Sequence, residues 1–392
     1  MRWASTGSVE PLLATAIVEA TRTLRHQLGG STPDLIIVFA SEHHGDQFDR
    51  VPDLIRSEWP SGALIGCSAG GVIGGGKEIE QRPGLSLTAA VLPGVEVMPF
   101  HLDASDLSAG GALDLQQMLG VPATKQPHFL LLPEPFSFEP EQFLRELDRT
   151  YPRSRKVGGL SSGGRQSGAN ALFLGSDVYR SGLVGVALSG NIEVETIVAQ
   201  GCRPIGQPMF VTKCHGNIIW ELDGRQAVEV LQELFEGLSS ADQELARQSL
   251  FLGIAMTEDH QEYRQGDFLI RNLIGMDATR GVIAVAAAVR ENAIVQFHLR
   301  DARTSAHDLE QLLTHYAADG HAAPAGGLLF SCLGRGMYLY GRPDHDTEAA
   351  RRHLGEMPLG GFFCNGEIGP VHGTTFLHGY TSAFGLFRSR ES

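Results

Sequence analysis

A chain of 392 residues is too long for one ordinary core, so two domains are expected. Hydrophobic content of 42% with 19% charged residues is that of a globular protein in water. The formal charge of −14 sets the surface against phosphate backbones and anionic headgroups, so neither nucleic acid nor a membrane is expected as a partner.

Residues 9–28 place apolar side chains at Leu12, Leu13, Ala16, Ile17, Ala20, Leu24 and Leu28, which is helical spacing. A buried-strand run follows at 33–40, then a second helix over 46–59 and a strand at 64–66 that enters a Gly-rich segment. The runs 85–92 and 95–102 read as a strand pair around Pro93-Gly94. Residues 103–124, rich in Ala, Ser and Gly, read as a surface excursion. A strand at 129–132, a helix at 139–151 and short strands at 157–161, 171–174, 183–189 and 193–199 complete the first half. Within it the order repeats itself. Residues 66–71 (Gly-Cys-Ser-Ala-Gly-Gly) align with 159–164 (Gly-Leu-Ser-Ser-Gly-Gly).

Two prolines in 201–208 mark the expected linker, dividing a module at 1–200 from one at 209–392. The second module reads as a hairpin around Gly216-Asn217, helices at 225–235 and 242–250, and strands at 251–256, 268–272, 282–285 and 294–299. The longest clean apolar run, 281–289, is far short of the roughly 20 residues of a membrane-spanning helix. A helix at 305–316 takes Ser305 as its N-cap. Strands at 328–331, 359–364 and 376–387, with a helix at 345–354, close the chain. Short strands joined by tight turns define an α+β class: two related modules of mainly antiparallel sheet with flanking helices and approximate internal duplication.

Four strand ends run into glycine-rich turns at 64–71, 157–164, 329–336 and 360–370. Together they carry the polar residues expected to line a ligand pocket: Cys67, Ser68, Ser161, Ser162, Cys332, Arg335, Cys364, Asn365 and Glu367. Arg335 and Glu367 stand out, because a charge in an apolar turn must be paired or must meet a polar ligand. Pairing with each other is one solution. Two of the turns match G-x-S-x-G, but a nucleophilic serine needs a strand, a sharp turn and then a helix, and neither turn leads into helical spacing. A hydrolase using Ser68 or Ser161 is therefore the weaker alternative, and no catalytic residue is assigned. The cysteines show no metal-ligand spacing, so no metal is expected. Being five in number and lacking C-x-x-C, they point to a reducing, cytoplasmic setting. The N-terminus also lacks a basic-then-apolar signal pattern. The polar cluster at 41–46, with Glu42, His43 and His44, reads as the start of the next helix.

Several of these segments resemble the FIST family. Residues 64–80 and 131–138 are similar to its N-terminal module, 211–231 to its junction, and 332–340 and 360–370 to its C-terminal module. The resemblance implies an intracellular sensory protein that binds a small polar, amino-acid-like ligand. The signal would pass to a separate signalling or ubiquitin-ligase-type partner, since no output segment accompanies the modules. It also leaves two alternatives: an interaction scaffold without ligand, and a haem-binding nitric-oxide sensor. Haem would need an axial ligand, and none of the 15 histidines sits in a pattern that identifies one, so no cofactor is expected.

Overall fold

The computed structural model describes residues 1–108, 112–258 and 261–390, and of residues 107–108 and 112–114 the backbone alone. The expected excursion at 103–124 therefore lies partly outside the described residues; helices Ala104–Ser108 and Ala112–Met118 fall within it. The chain forms two units. The first comprises 1–198, 310–377 and 381–392, and the second comprises 199–309 with 378–380.

The first unit is one motif repeated three times. Each copy contains a strand, a helix and a second strand parallel to the first. These are Leu35–Ser41, Val51–Glu58 and Ala63–Ala69; then His128–Pro133, Pro140–Thr150 and Lys156–Gly159; then Gly326–Cys332, His345–Leu354 and Leu359–Cys364. The parallel pair is flanked by antiparallel strands from the same copy. These are Arg2–Ser8 with Leu85–Val91, Val95–Leu102 with Leu183–Gly190, and Glu193–Gln200 with Thr381–Arg388. Each copy also lends a hairpin to a neighbour. Leu172–Leu174 and Asp177–Tyr179 complete the first sheet, Glu367–Val371 and Thr374–His378 the second, and Gly71–Gly74 and Lys77–Glu80 the third. Three six-stranded sheets result, linked cyclically by hairpin exchange. The fold is α+β with mainly antiparallel sheets, each of which holds one parallel pair.

One glycine marks each copy. A Cβ on Gly66, Gly158 or Gly361 would stand 1.9 Å from the carbonyl oxygen of its partner across the parallel pair, Val38, Leu131 or Leu329 respectively. No other side chain fits such an approach. Gly158 and Gly361 also have φ of +159° and +144°, which non-glycine residues rarely adopt. This equivalence moves the expected alignment by one residue, since Gly66 corresponds to Gly158 and not to Gly159. Ser68 and Ser161 then occupy successive rather than equal positions, Ser68 within strand Ala63–Ala69 and Ser161 beyond the end of strand Lys156–Gly159. The two G-x-S-x-G matches coincide in composition and differ in place.

Other differences have local causes. Strand Arg2–Ser8 carries no alternating pattern, and its register along Leu85–Val91 places it. The runs on either side of Pro93-Gly94 are strands but do not pair; one joins Leu35–Ser41 and the other joins Leu183–Gly190, so the turn carries the chain from one sheet to the next. Ser305 lies inside helix Ala302–Ala318, and the Asp301 carboxylate accepts the Arg303 and Thr304 N–H groups instead. The aromatic centre of the unit stacks Phe39 on Phe362 at 4.5 Å and Trp3 on Phe387 at 4.6 Å.

In the second unit the strands Cys202–His215, Ile294–Arg300, Leu250–Ala255, Phe268–Asp277, Val282–Val285 and Ile218–Leu222 pair in that order. The last pairs with the first, so the sheet closes into an antiparallel barrel. Residues 202–208, within the expected linker, begin the longest of these strands. Their prolines stand where the ladder shifts register, between Ile205 and Met209, or at its edge. Helices Ala227–Gly237 and Ser240–Ser249 pack on the barrel, the latter capped by Ser239.

Candidate functional site

All four glycine-rich turns belong to the first unit, and they meet. The Ser162 N–H donates to the Ser68 carbonyl (3.1 Å), and the Ser162 hydroxyl donates to the Phe363 carbonyl (2.5 Å) while accepting from the Gly70 N–H (2.9 Å). Asn365 donates from its backbone to Leu160 (3.2 Å) and from its amide to the Ser161 carbonyl (3.1 Å). Leu333 N–H donates to Cys364, closing the fourth turn onto the others. The convergence follows from the topology: each turn leaves the carboxyl end of a parallel pair, and the exchanged hairpins tie those ends together.

The convergence is a packed knot. Cys67, Ser68, Ser161, Ser162, Arg335, Cys364 and Glu367 are all at most 1% exposed, and of the nine expected residues only Asn365 is well exposed. Ser68 donates to Asn170 Oδ1 (3.3 Å), an amide that accepts a hydrogen bond but cannot take the proton. Asn170 in turn donates to Glu134 (3.0 Å), which also receives Ser137 and the Phe136 N–H. Burial pushes the Cys67 and Cys364 thiols well up, so both stay neutral, and a neutral thiol is a poor nucleophile. The Ser161 hydroxyl is buried without a partner.

The ion-pair partner of Arg335 is Asp346, a residue outside the four turns. Arg335 forks onto Asp346 at 2.8 and 3.1 Å and donates to the Tyr340 hydroxyl at 2.7 Å. Burial alone would lower the arginine pKa, but the adjacent Asp346 outweighs it, and the guanidinium stays charged. Burial likewise resists ionisation of Asp346, and Arg335, His345 and Ser382 overcome it, holding the carboxyl well below its usual range. Sequence reasoning missed Asp346 because the helix at 345–354 carries several charged residues and nothing local marks one of them as buried.

Glu367 is pushed up to about 7, chiefly by burial. Thr381, whose N–H and hydroxyl donate to Oε2 at 3.0 and 2.6 Å, and the Cys364 thiol hold it back. An unfolded glutamate titrates near 4.5 and the folded one near 7, so the folded state keeps the proton to higher pH. Stability is expected to be highest below pH 4.5 and to fall by roughly 3 kcal/mol on rising to pH 7 from this group alone. Glu367→Gln should remove that slope in urea unfolding measured at pH 5, 6 and 7. An unchanged slope would assign it to another group.

The lent hairpin Lys77–Glu80 completes the arrangement. Glu78 Oε1 accepts the Asp346 and Thr347 N–H groups at 3.0 and 3.1 Å, at the start of helix His345–Leu354. Its Oε2 is buried without a partner, and burial with the neighbouring Asp346 raises it to about 8, so it is a neutral acid at pH 7. Beside it lies a cleft of about 190 Å³ between Gly75, Gly76 and Lys77 on one side and Thr347, Glu348 and Arg351 on the other. Thr347 belongs to its wall, is 1% exposed, and carries a buried hydroxyl that has no partner. No hint of this cleft is legible in the sequence, since hairpin and helix lie more than 260 residues apart. Among the described residues no group of three metal-ligating side chains gathers, and no helix is long and apolar enough to cross a membrane.

These features define a class: an α+β protein of cyclic repeats with a barrel, carrying a buried polar network beside a small polar cleft. Its FIST N domain matches residues 34–225 and its FIST C domain residues 227–370, and the chain belongs to the FIST family. FIST domains are associated with signal transduction and the sensing of small ligands. An uncharacterized protein of Mycobacterium tuberculosis is 40% identical over 380 residues, covering 97% of this chain and 98% of its own. Another, of Mycobacterium bovis, is 37% identical over 372 residues, covering 95% of each. A crystal structure of cyanuric acid hydrolase from A. caulinodans covers 100% of this chain and 99% of its own, with 9% identity and a TM-score of 0.36, a likeness too slight to bear on function.

Proposed function

We propose that this protein is a sensory protein whose first unit binds a small polar ligand carrying both charges, of amino-acid size, in the cleft beside helix His345–Leu354, with a separate protein reading out the bound state. The observation that carries the reading is the buried, unpartnered hydroxyl of Thr347, a residue of the cleft wall, with side chains of both charges around it. A buried hydroxyl or acid without a partner is costly, and a ligand or water that satisfies it is favoured accordingly. The cleft holds the volume of about six waters. Lys77 and Arg351 offer cations at its rim, Glu348 and Glu356 offer anions, and Gly75 and Gly76 leave room for close approach. In this reading the turn residues act beneath the ligand. Ser68, Ser162, Asn365 and Cys67 hold the knot, Cys332, Cys364 and Glu367 flank it, and Arg335 fixes Asp346, whose backbone meets Glu78.

A thermal-shift screen of amino acids and related zwitterions tests the proposal. At least one compound should raise the melting temperature of the native chain, and the shift should vanish in Thr347→Val and Arg351→Ala. Thr347→Val should leave the unliganded melting temperature unchanged or raised, because it removes an unpaired hydroxyl. A compound that stabilises both variants as strongly as the native chain would refute the site.

A further inference from the structure

The second unit has a different concavity, and nothing in the small-polar-ligand reading uses it. Helix Ala227–Gly237 is apolar over much of its surface, yet it buries only Ala227 and Val228; Val230, Leu231, Leu234 and Phe235 are only partly covered. Where this helix and the next meet the barrel there is a pocket of about 720 Å³. Its walls include Leu231 and Phe235, Leu250, and Leu273, Met276 and Ile283 of the barrel. That volume lies within the range of about 300–1,000 Å³ of small-molecule sites, and such sites are mostly apolar with a few polar groups.

Its floor is opened by the strand itself. The pairing of Phe268–Asp277 with Val282–Val285 slips between Leu273 and Gly275, and a Cβ on Gly275 would meet nothing within 4 Å. Space is therefore left where a side chain would ordinarily stand. Met276 is 70% exposed beside it, an adaptable thioether suited to varied apolar shapes. The polar groups are few. Arg247 stands over the Phe235 ring at 5.7 Å and pairs with Glu244 three residues away, both side chains being well exposed. An exposed pair of that kind contributes little and exchanges partners readily. Gln232 and Gln248 add amide donors, while Glu236 lies exposed at the rim. Arg247 is the cation among the residues that line this pocket.

We infer that the barrel unit binds an amphipathic small anion, its apolar body in the pocket over Gly275 and its carboxylate or sulfonate at Arg247. The site is independent of the polar cleft, and the two stand or fall separately.

The probe is 1-anilinonaphthalene-8-sulfonate, an aromatic anion, added to the full chain. Saturable one-to-one fluorescence enhancement is expected, and decanoate should displace the dye about tenfold more effectively than decanol, the margin of one hydrogen bond to a charged group. Gly275 lies outside the left-handed region, so Gly275→Leu fills the pocket without backbone strain and should abolish the signal. Leu231→Gln, on a partly covered helix face, is a second variant that should weaken it. Arg247→Gln should weaken dye binding about tenfold without abolishing it and erase the preference for decanoate over decanol. Arg342→Gln, remote in sequence from the pocket lining and on the first unit, should leave dye binding unchanged. No saturable site in the native chain, or equal binding by Gly275→Leu with unchanged circular dichroism, would overturn the inference. So would a native dimer that Gly275→Leu dissociates, which would assign the pocket to a second copy.

Discussion

Replacing Arg335 by Met is expected to destabilise the first unit by about 3–5 kcal/mol, because it leaves the Asp346 carboxylate buried without its counter-charge. Neither group has access to water: Arg335 is 0% and Asp346 2% exposed. Asp346→Leu should cost a similar amount by stranding the guanidinium. Joining the two changes should recover most of the loss, since an apolar pair of similar volume escapes the desolvation both charges now carry. Urea unfolding followed by the fluorescence of Trp3 and Trp59, both buried in this unit, gives the comparison. Single variants that lose less than about 1 kcal/mol would mean that water reaches the pair, as it does in exposed salt bridges. The double variant also separates stability from sensing. If it folds but no longer responds to ligands that stabilise the native chain, the network supports the cleft as well as the fold.

Gly361→Ala is expected to cost about 3 kcal/mol or more, from backbone strain added to overpacking. The new methyl would stand 1.9 Å from the Leu329 carbonyl oxygen, which cannot retreat because it belongs to the ladder. Gly158→Ala meets the same obstacle at Leu131, and Gly66→Ala at Val38. Gly76→Ala is the control: its φ of +71° is also one that alanine rarely adopts, but nothing lies within 4 Å, so only about 1–2 kcal/mol is expected. Unfolding midpoints for the four variants should therefore fall into two classes. If all four fell together, the close approach of the paired strands would not be what requires glycine.

The sequence and the structure part company at identifiable residues. Most helices and strands were legible because they carry their own period: Pro140–Thr150 shows an apolar face, and Leu35–Ser41 is a buried run between polar ends. The echo between residues 66–71 and 159–164 was visible, yet its register was not. Glycine and serine spell the same turn whichever face they occupy, and only the carbonyl facing Gly158 decides the matter. The third copy was harder to see, because the barrel residues 199–309 separate its first strand from the rest. Of the candidate site, Arg335 and Glu367 were legible as charges out of place among apolar neighbours. Their partners, Asp346 and Thr381, were not, because nothing local distinguishes a buried aspartate or threonine from an exposed one.

What the amino-acid sequence determined alone was local. It set where strands end in glycine turns, which residues must be paired if buried, and that the chain is an acidic α+β protein with FIST-like motifs. The tertiary structure decided what those turns face. Hairpin exchange brings Glu78 to the helix of Asp346 and Thr347 across more than 260 residues, and the closure of three sheets brings the four turns together. Local spacing carries no record of such contacts, because they depend on which strand edge each hairpin finds. That choice is made by register and burial over the whole unit.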